Sequence, residues 1–253
     1  MPEIISQDDC KKARSIPFCY LCGKPLSSGG ETNRDHIPPR KIFRDEDRNW
    51  PLILKTHTSC NEKQSEDDEV IGQIVALCWG KSVPPRRQKF KVNIRRYKGN
   101  LMPGISGVPI QGIIWRWVRG FHAALYREFL PATWPGGNIF TPFPRSDNTD
   151  PDINRALFSK VLIENRRNRT LDRIITQNGK CIYECAWATV DDGRTICVFG
   201  LRLYDWEKMG PQADGPRGCV GLYSAVTPKT ATLSTDSVFS VKNGDSLDPF
   251  ETS

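Results

Sequence analysis

Four residues with the chemistry of soft and borderline metal ligands stand in two close pairs, Cys19-x-x-Cys22 and His57-x-x-Cys60, and between them lies the run Asp35-His36-Ile37-Pro38-Pro39. Each pair can bring two donors to one ion, and two such pairs complete the closed tetrahedral shell of a structural zinc. An ion held by four protein ligands has no open position for water. Its contribution is to folding, on the order of 10 kcal/mol in small zinc modules. Cys10 is an alternative to His57 as fourth ligand. Asp35, His36 and Asn61 are of another kind. A carboxylate and an amide oxygen are hard ligands suited to Mg²⁺ or Mn²⁺. An imidazole with an unperturbed pKa of about 6.5 can accept a proton from water at working pH. The two sets together describe metal-assisted hydrolysis on a zinc-fastened scaffold.

The elements that must position these groups can be read around them. Arg34 to Ile37 reads as a short strand stopped by Pro38-Pro39, because proline removes ladder donors and restricts the residue before it. A helix is signalled from Ser59, with Ser59 as N-cap, Glu62 at the third helical position, and Val70, Ile71, Ile74, Val75 and Cys78 at helical spacing up to Gly80. Cys60 and Asn61 then fall in its first turn, facing a hairpin that carries Asp35 and His36. The predicted order is strand, strand, helix around metal.

That order resembles the HNH (ββα-metal) endonuclease family, on Asp35-His36-Ile37-Pro38, then Asn49, then Cys60-Asn61-x-Lys63, over residues 19 to about 70. The resemblance implies an endonuclease that hydrolyses phosphodiester bonds, with DNA the expected substrate. It implies His36 as general base, Asp35 and Asn61 holding a catalytic Mg²⁺ or Mn²⁺, and Asn49 orienting the loop and the base. His57 stands where many members carry Cys. Some members place a further metal-binding His beyond the final Asn, where this chain has Asp67 and Asp68, and either acid could join the metal. The alternative to an enzyme is a non-catalytic zinc-stabilised protein that binds nucleic acid.

Composition agrees with a folded, polyanion-binding protein. The net charge is +7 over 253 residues, and Arg86, Arg87, Lys89, Lys91, Arg95, Arg96 and Lys98 form a stretch without acids that suits a phosphate backbone, with Arg166, Arg167 and Arg169 as candidates to join it. The nine cysteines are an odd number in a chain without a signal-like start, which favours a reducing, cytoplasmic setting and metal over disulfide. No apolar run is long enough to span a bilayer, so no membrane partner is expected.

The fold class expected is α+β: a zinc-stabilised ββα-metal module over residues 10–82, then a helical and antiparallel β accessory region over 83–209, then a loop or disordered tail over 210–253. The accessory region comprises the basic arm, an apolar-faced helix from Ile113 to Phe129 ending at Pro131, a connector, a helix from Asp152 to about Arg169, and a meander from Leu171 to Tyr204 turning at Asn178-Gly179 and Asp192-Gly193. This region could serve a protein partner or an oligomer. His122 reads as a core histidine and Cys181, Cys185 and Cys197 as packing residues. Trp115 and Trp134 are candidates to stack on a base.

Overall fold

Ser6 caps a helix that apolar periodicity does not announce. In the computed structural model of the chain, α1 (Gln7–Ala13) follows the strand β1 (Glu3–Ile4). Ser6 Oγ accepts from the Asp9 amide at 3.2 Å, and the Asp9 carboxylate accepts from the Ser6 amide at 3.1 Å, a reciprocal capping box. The structure describes residues 2–27, 30–78, 81, 83–84, 87–97, 100–133, 139–140, 152–189, 195–204 and 219–224. Gly80, Arg86, Lys98, Trp134 and the turn Asp192-Gly193 lie outside them, as do most of the connector and of the tail.

β2 (Thr32–Ile37) pairs antiparallel with β3 (Leu52–His57), in the register that sets His36 opposite Ile53 and Thr32 opposite His57. β3 runs directly into α2 (Thr58–Glu62), and after Lys63 and Gln64 the chain continues as α3 (Ser65–Cys78). This differs from one continuous helix capped by Ser59. His57 occupies the N-cap position without a side-chain bond, and Ser59 lies within the short helix. The entry is fixed by other means: the Thr58 amide donates to the Glu31 carbonyl at 2.9 Å, and the His57 ring faces Cys22 (below).

The basic stretch leads into a hairpin, β4 (Lys91–Tyr97) against β5 (Asn100–Ser106). α4 (Ile110–Tyr126) follows. It stops short of Pro131 because Arg127 turns into the left-handed region at φ 58°, where its guanidinium donates to the Ser15 carbonyl and hydroxyl at 2.8 and 2.9 Å. After β6 (Ile139–Phe140) and α5 (Asp152–Arg167) comes the meander, β7 (Asp172–Thr176), β8 (Cys181–Thr189) and β9 (Thr195–Leu203), antiparallel throughout. Gln177–Gly179 makes its first turn.

The sheet is wider than the meander. β10 (Cys219–Ser224), inside the stretch expected to be loop from 210, adds along β9. β6 pairs with β10, and β1 joins β7 in parallel, giving the order β1-β7-β8-β9-β10-β6. The alternation of β8 and β9 serves two helices. Tyr183, Cys185 and Trp187 face α4, where Phe121 stacks on Tyr183 at 4.7 Å, while Ala186 and Val198 pack with Val161 and Leu162 of α5.

One apolar cluster runs from Ile4 through Ile37, Leu52, Leu54, Val70 and Ile71 to α4 and on to Tyr223. Residues of the first 82 positions therefore share a core with the region after them. α4 meets β2 so closely that a Cβ at Gly120 would lie 2.4 Å from Ile37 Cδ1, a gap that only glycine leaves open. The protein is mixed α+β. Among the described residues no helix is long and apolar enough to cross a membrane.

Candidate metal centre and its surroundings

Cys19 and Cys22 lie on a tight knuckle. The Cys22 and Gly23 amides donate to the Cys19 carbonyl at 3.2 and 2.7 Å, and the Cys19 amide donates to the Lys24 carbonyl at 2.9 Å. Gly23 takes φ +77°, and a Cβ there would meet the Phe129 ring at 3.0 Å. The knuckle is backed by α4: the Arg119 guanidinium donates to the Tyr20 and Leu21 carbonyls, both at 2.9 Å. His57 ends β3 and Cys60 sits in α2, which bring the second pair to the first.

The ligand atoms of Cys19, Cys22, His57 and Cys60 all lie within 4.8 Å of one another, so the four could hold a metal ion. Cys22 Sγ and His57 Nδ1 are 3.4 Å apart, close to the edge of about 3.5 Å that tetrahedral Zn–S and Zn–N lengths imply. His57 Nε2 is 3.2 Å from the Pro25 carbonyl. A proton on that nitrogen donates to the carbonyl and leaves Nδ1 as the free donor, the outer bond that orients a ligating histidine.

The thiols carry the same message in their charges. Burial pushes Cys22 up, but the Lys24 backbone and the bonds from His57, Cys60 and Cys19 outweigh it and bring Cys22 down to about 7. Burial and the neighbouring Cys22 and Cys19 push Cys60 up to about 11. A second thiolate beside the first is disfavoured unless a cation joins them. Cys10 is not part of this group. It is buried in α1, its thiol donating to the Trp50 carbonyl at 3.6 Å, so His57 and not Cys10 is the fourth donor. The donors are compatible with structural zinc.

Tyr20, inside the knuckle, links the metal group to Asp35. Its hydroxyl donates to Asp35 Oδ2 at 2.5 Å, and both residues are buried, at 1% and 4% exposure. Burial pushes Asp35 up to about 6, against the Tyr20 hydrogen bond and the Arg116 charge, which hold it down. Arg116 of α4 is itself buried and ion-paired with Asp68 of α3. Asp68 therefore serves as counter-ion to Arg116. Among the described residues, neither Asp67 nor Asp68 groups with other metal-type side chains.

His36 projects from the opposite face of β2, half-buried, while Asn33, Asp35 and Ile37 share the inner face. Burial lowers the imidazole pKa, and the charges of Arg40, Arg14 and Arg34 lower it further. Asn61 Nδ2 donates to Asn33 Oδ1 at 3.1 Å, and Thr56 Oγ1 donates to the same oxygen at 2.9 Å. Asn61 is thus anchored two residues before Asp35 along β2, bonded to Asn33 and not to Asp35. Asn49 is exposed in the β2–β3 connection. The ties within that loop come instead from Arg48, whose Nε donates to the Arg40 and Phe43 carbonyls at 3.1 and 2.9 Å.

The remaining candidates separate. Lys89 is committed to Glu66 and Glu69 at 3.5 and 3.0 Å, so it is not a free phosphate contact. Arg87, Lys91 and Arg96 are exposed, and Arg95 lies within β4. Arg166 is paired with Glu184. Trp115 is 4% exposed with its indole N–H on the Ala132 carbonyl at 3.2 Å, which rules out stacking on a base. Among the described tryptophans it is Trp50 that is exposed. His122 is buried, with Nδ1 at 2.9 Å from the Tyr223 hydroxyl. Cys181, Cys185 and Cys197 are fully buried and outside any metal-type group.

Sequence reasoning missed Arg14, Arg34 and Arg40, the three charges that act on His36. Arg34 stands two residues before His36, which puts both on one face of a strand, a local signal that was available. Arg14 arrives through the packing of α1 on β3, which spacing cannot reveal. No family model, curated protein or solved structure matches the chain.

Proposed function

We propose that the chain is a metal-dependent endonuclease of the HNH type, hydrolysing phosphodiester bonds, with DNA as substrate. The observation that carries this reading is the sequence at the end of β2: a half-buried imidazole disfavoured from protonation at His36 on the outer face, and at the preceding position, on the inner face, a buried carboxylate at Asp35 that is tied to the Cys/His group through Tyr20. A strand pair leading into a helix, fastened by four metal-type side chains, supports the same reading.

In this reading Cys19, Cys22, His57 and Cys60 hold a structural zinc that stabilises the fold and takes no part in the chemistry. Asp35 and Asn61 would hold Mg²⁺ or Mn²⁺. What supports this is the donor chemistry alone: Tyr20 occupies one oxygen of the buried Asp35 and Asn33 occupies the Asn61 nitrogen, which leaves one carboxylate oxygen and one amide oxygen as hard donors. When bound, the ion neutralises charge that gathers on the phosphoryl oxygens. His36 accepts the proton of the attacking water, for which its neutral form is required. Arg14, Arg34 and Arg40 favour that neutral form. Asn49, exposed and without a bond to His36, is assigned no part in orienting the base.

The test is cleavage of a supercoiled plasmid in Mg²⁺ or Mn²⁺ by the zinc-loaded protein, against His36→Ala. Cleavage by the wild type that the variant loses, with folding retained, supports the reading. Binding without cleavage by the wild type would identify a zinc-stabilised nucleic-acid-binding protein instead.

A further inference from the structure

Several cations of this protein are committed to acids within the fold. Arg48, Lys89, Arg116, Arg166 and Arg173 each pair with an acid. Among the described residues, Arg14, Arg34 and Arg40 form no ion pair, and all three act on His36.

They reach it from three elements. Arg34 shares the outer face of β2 with His36, opposite the buried Asp35 and Ile37. Arg40 is exposed and follows directly on Pro38-Pro39, which end the strand after His36. Arg14 closes α1 one helical turn after Cys10, the residue that binds the Trp50 carbonyl, and so leaves α1 on the side turned to β3. Its Nε is buried with no hydrogen-bond partner, and an unsatisfied buried donor is costly to keep.

Three guanidiniums that act on one imidazole repel one another, and among the described residues no carboxylate forms an ion pair with any of them. Guanidinium is also the group that meets phosphate oxygens in fork geometry. We propose that Arg14, Arg34 and Arg40 form a phosphate cradle that seats the backbone of a nucleic-acid strand across His36. This rests on the endonuclease reading for the role of His36, and it moves the main phosphate contacts from the 86–98 stretch to the edge of β2. The cradle reads backbone only and confers no sequence preference.

The test is fluorescence anisotropy of a labelled DNA duplex with full-length, zinc-loaded His36→Ala protein, titrated over a range of salt. The same background carries Arg14→Gln/Arg34→Gln/Arg40→Gln, the matching triple Lys variant, and Lys91→Gln/Arg96→Gln in the hairpin. Each lost duplex phosphate contact lowers the log–log salt slope by about 0.9. The triple Gln variant is expected to lower it by about 2–3 and to weaken binding at least tenfold, the Lys variant to keep most of the slope, and the hairpin variant to change it less than the triple Gln variant. Circular dichroism and zinc content control for folding. If the triple variant does not fold, the exposed Arg34→Gln alone is read for a fall of about 1.

An unchanged slope and affinity in the Gln variants overturns the cradle. Plasmid cleavage by the wild type is followed in parallel. A cradle-dependent slope without cleavage defeats the endonuclease reading and leaves the cradle standing. Cleavage with an unaltered slope does the reverse.

Discussion

Tyr20 lies between two metal-type cysteines and donates a 2.5 Å hydrogen bond to the buried carboxylate of Asp35. The knuckle that presents Cys19 and Cys22 therefore also favours, against burial, the ionised form of Asp35, the residue that precedes His36 on the opposite face of β2. Structure and proposed chemistry are joined through one hydroxyl.

Removing Tyr20's donor should move the pH dependence of cleavage. In the proposed reaction the active form has Asp35 ionised and His36 neutral, so both groups must be deprotonated and kcat/KM rises with pH. With Asp35 raised to about 6 and His36 below its ordinary value, both groups contribute to the rising limb. The Tyr20 bond holds Asp35 down, so Tyr20→Phe should shift the limb to higher pH and cost about 1–3 kcal/mol in stability. A limb that stays in place would detach Tyr20 from the reacting acid.

Chelation should unfold more than a loop. The donors come from the knuckle, the end of β3 and α2, and the knuckle is bonded to α4 through Arg119. Elemental analysis should give one zinc per chain. Cys60→Ser, or prolonged treatment with a strong chelator, should remove stabilisation on the order of several kcal/mol and abolish cleavage in any added divalent metal. Retention of the full thermal transition without zinc would show that the thiols merely pack.

Gly120→Ala sets two effects against each other. Alanine favours an exposed helix interior by about 1 kcal/mol over glycine, but here the new methyl would come within 2.4 Å of Ile37 Cδ1, and Ile37 is 1% exposed with little room to move. Overpacking typically costs about 1–3 kcal/mol, so the variant should unfold more easily. Because Ile37 follows His36, its cleavage rate should also fall. A stabilised variant would mean that propensity prevails over this contact.

Much of this site was visible in sequence, for a physical reason. Metal ligands with two residues between them and a strand stopped by Pro38-Pro39 are local patterns, as is the alternation of β8 and β9. What was hidden depends on tertiary partners. β1 and β6 are two residues each and exist only as additions to a sheet formed elsewhere. β10 has Gly221 within it and little pattern of its own, yet β9 offers it a full ladder. The start of α2 was misread because Ser59 is a good capping residue, whereas His57 and the Glu31 carbonyl set the entry. The roles of Asp68 and Lys89 turned on Arg116 and on Glu66 and Glu69, residues distant in sequence.

His122 should leave a signature in acid. Burial lowers its pKa to about 3, whereas in the unfolded chain it takes a proton at about 6.5. Between those values the unfolded state binds more protons, so stability falls as pH falls, by on the order of 3–5 kcal/mol in full. His122→Gln can still bond to Tyr223 but does not titrate. In urea unfolding at about pH 7 and about pH 4, the wild type should lose more stability than this variant. Equal losses would show that the imidazole is protonated inside the fold.

The central claim is that His36 takes the proton from the attacking water. Cleavage of a supercoiled plasmid in saturating Mn²⁺ by zinc-loaded wild type and His36→Ala measures it most directly. The account predicts a fall of about 10²–10⁴-fold in the variant, with zinc content, thermal unfolding and duplex binding close to those of the wild type. Cutting by the variant at the wild-type rate would contradict it.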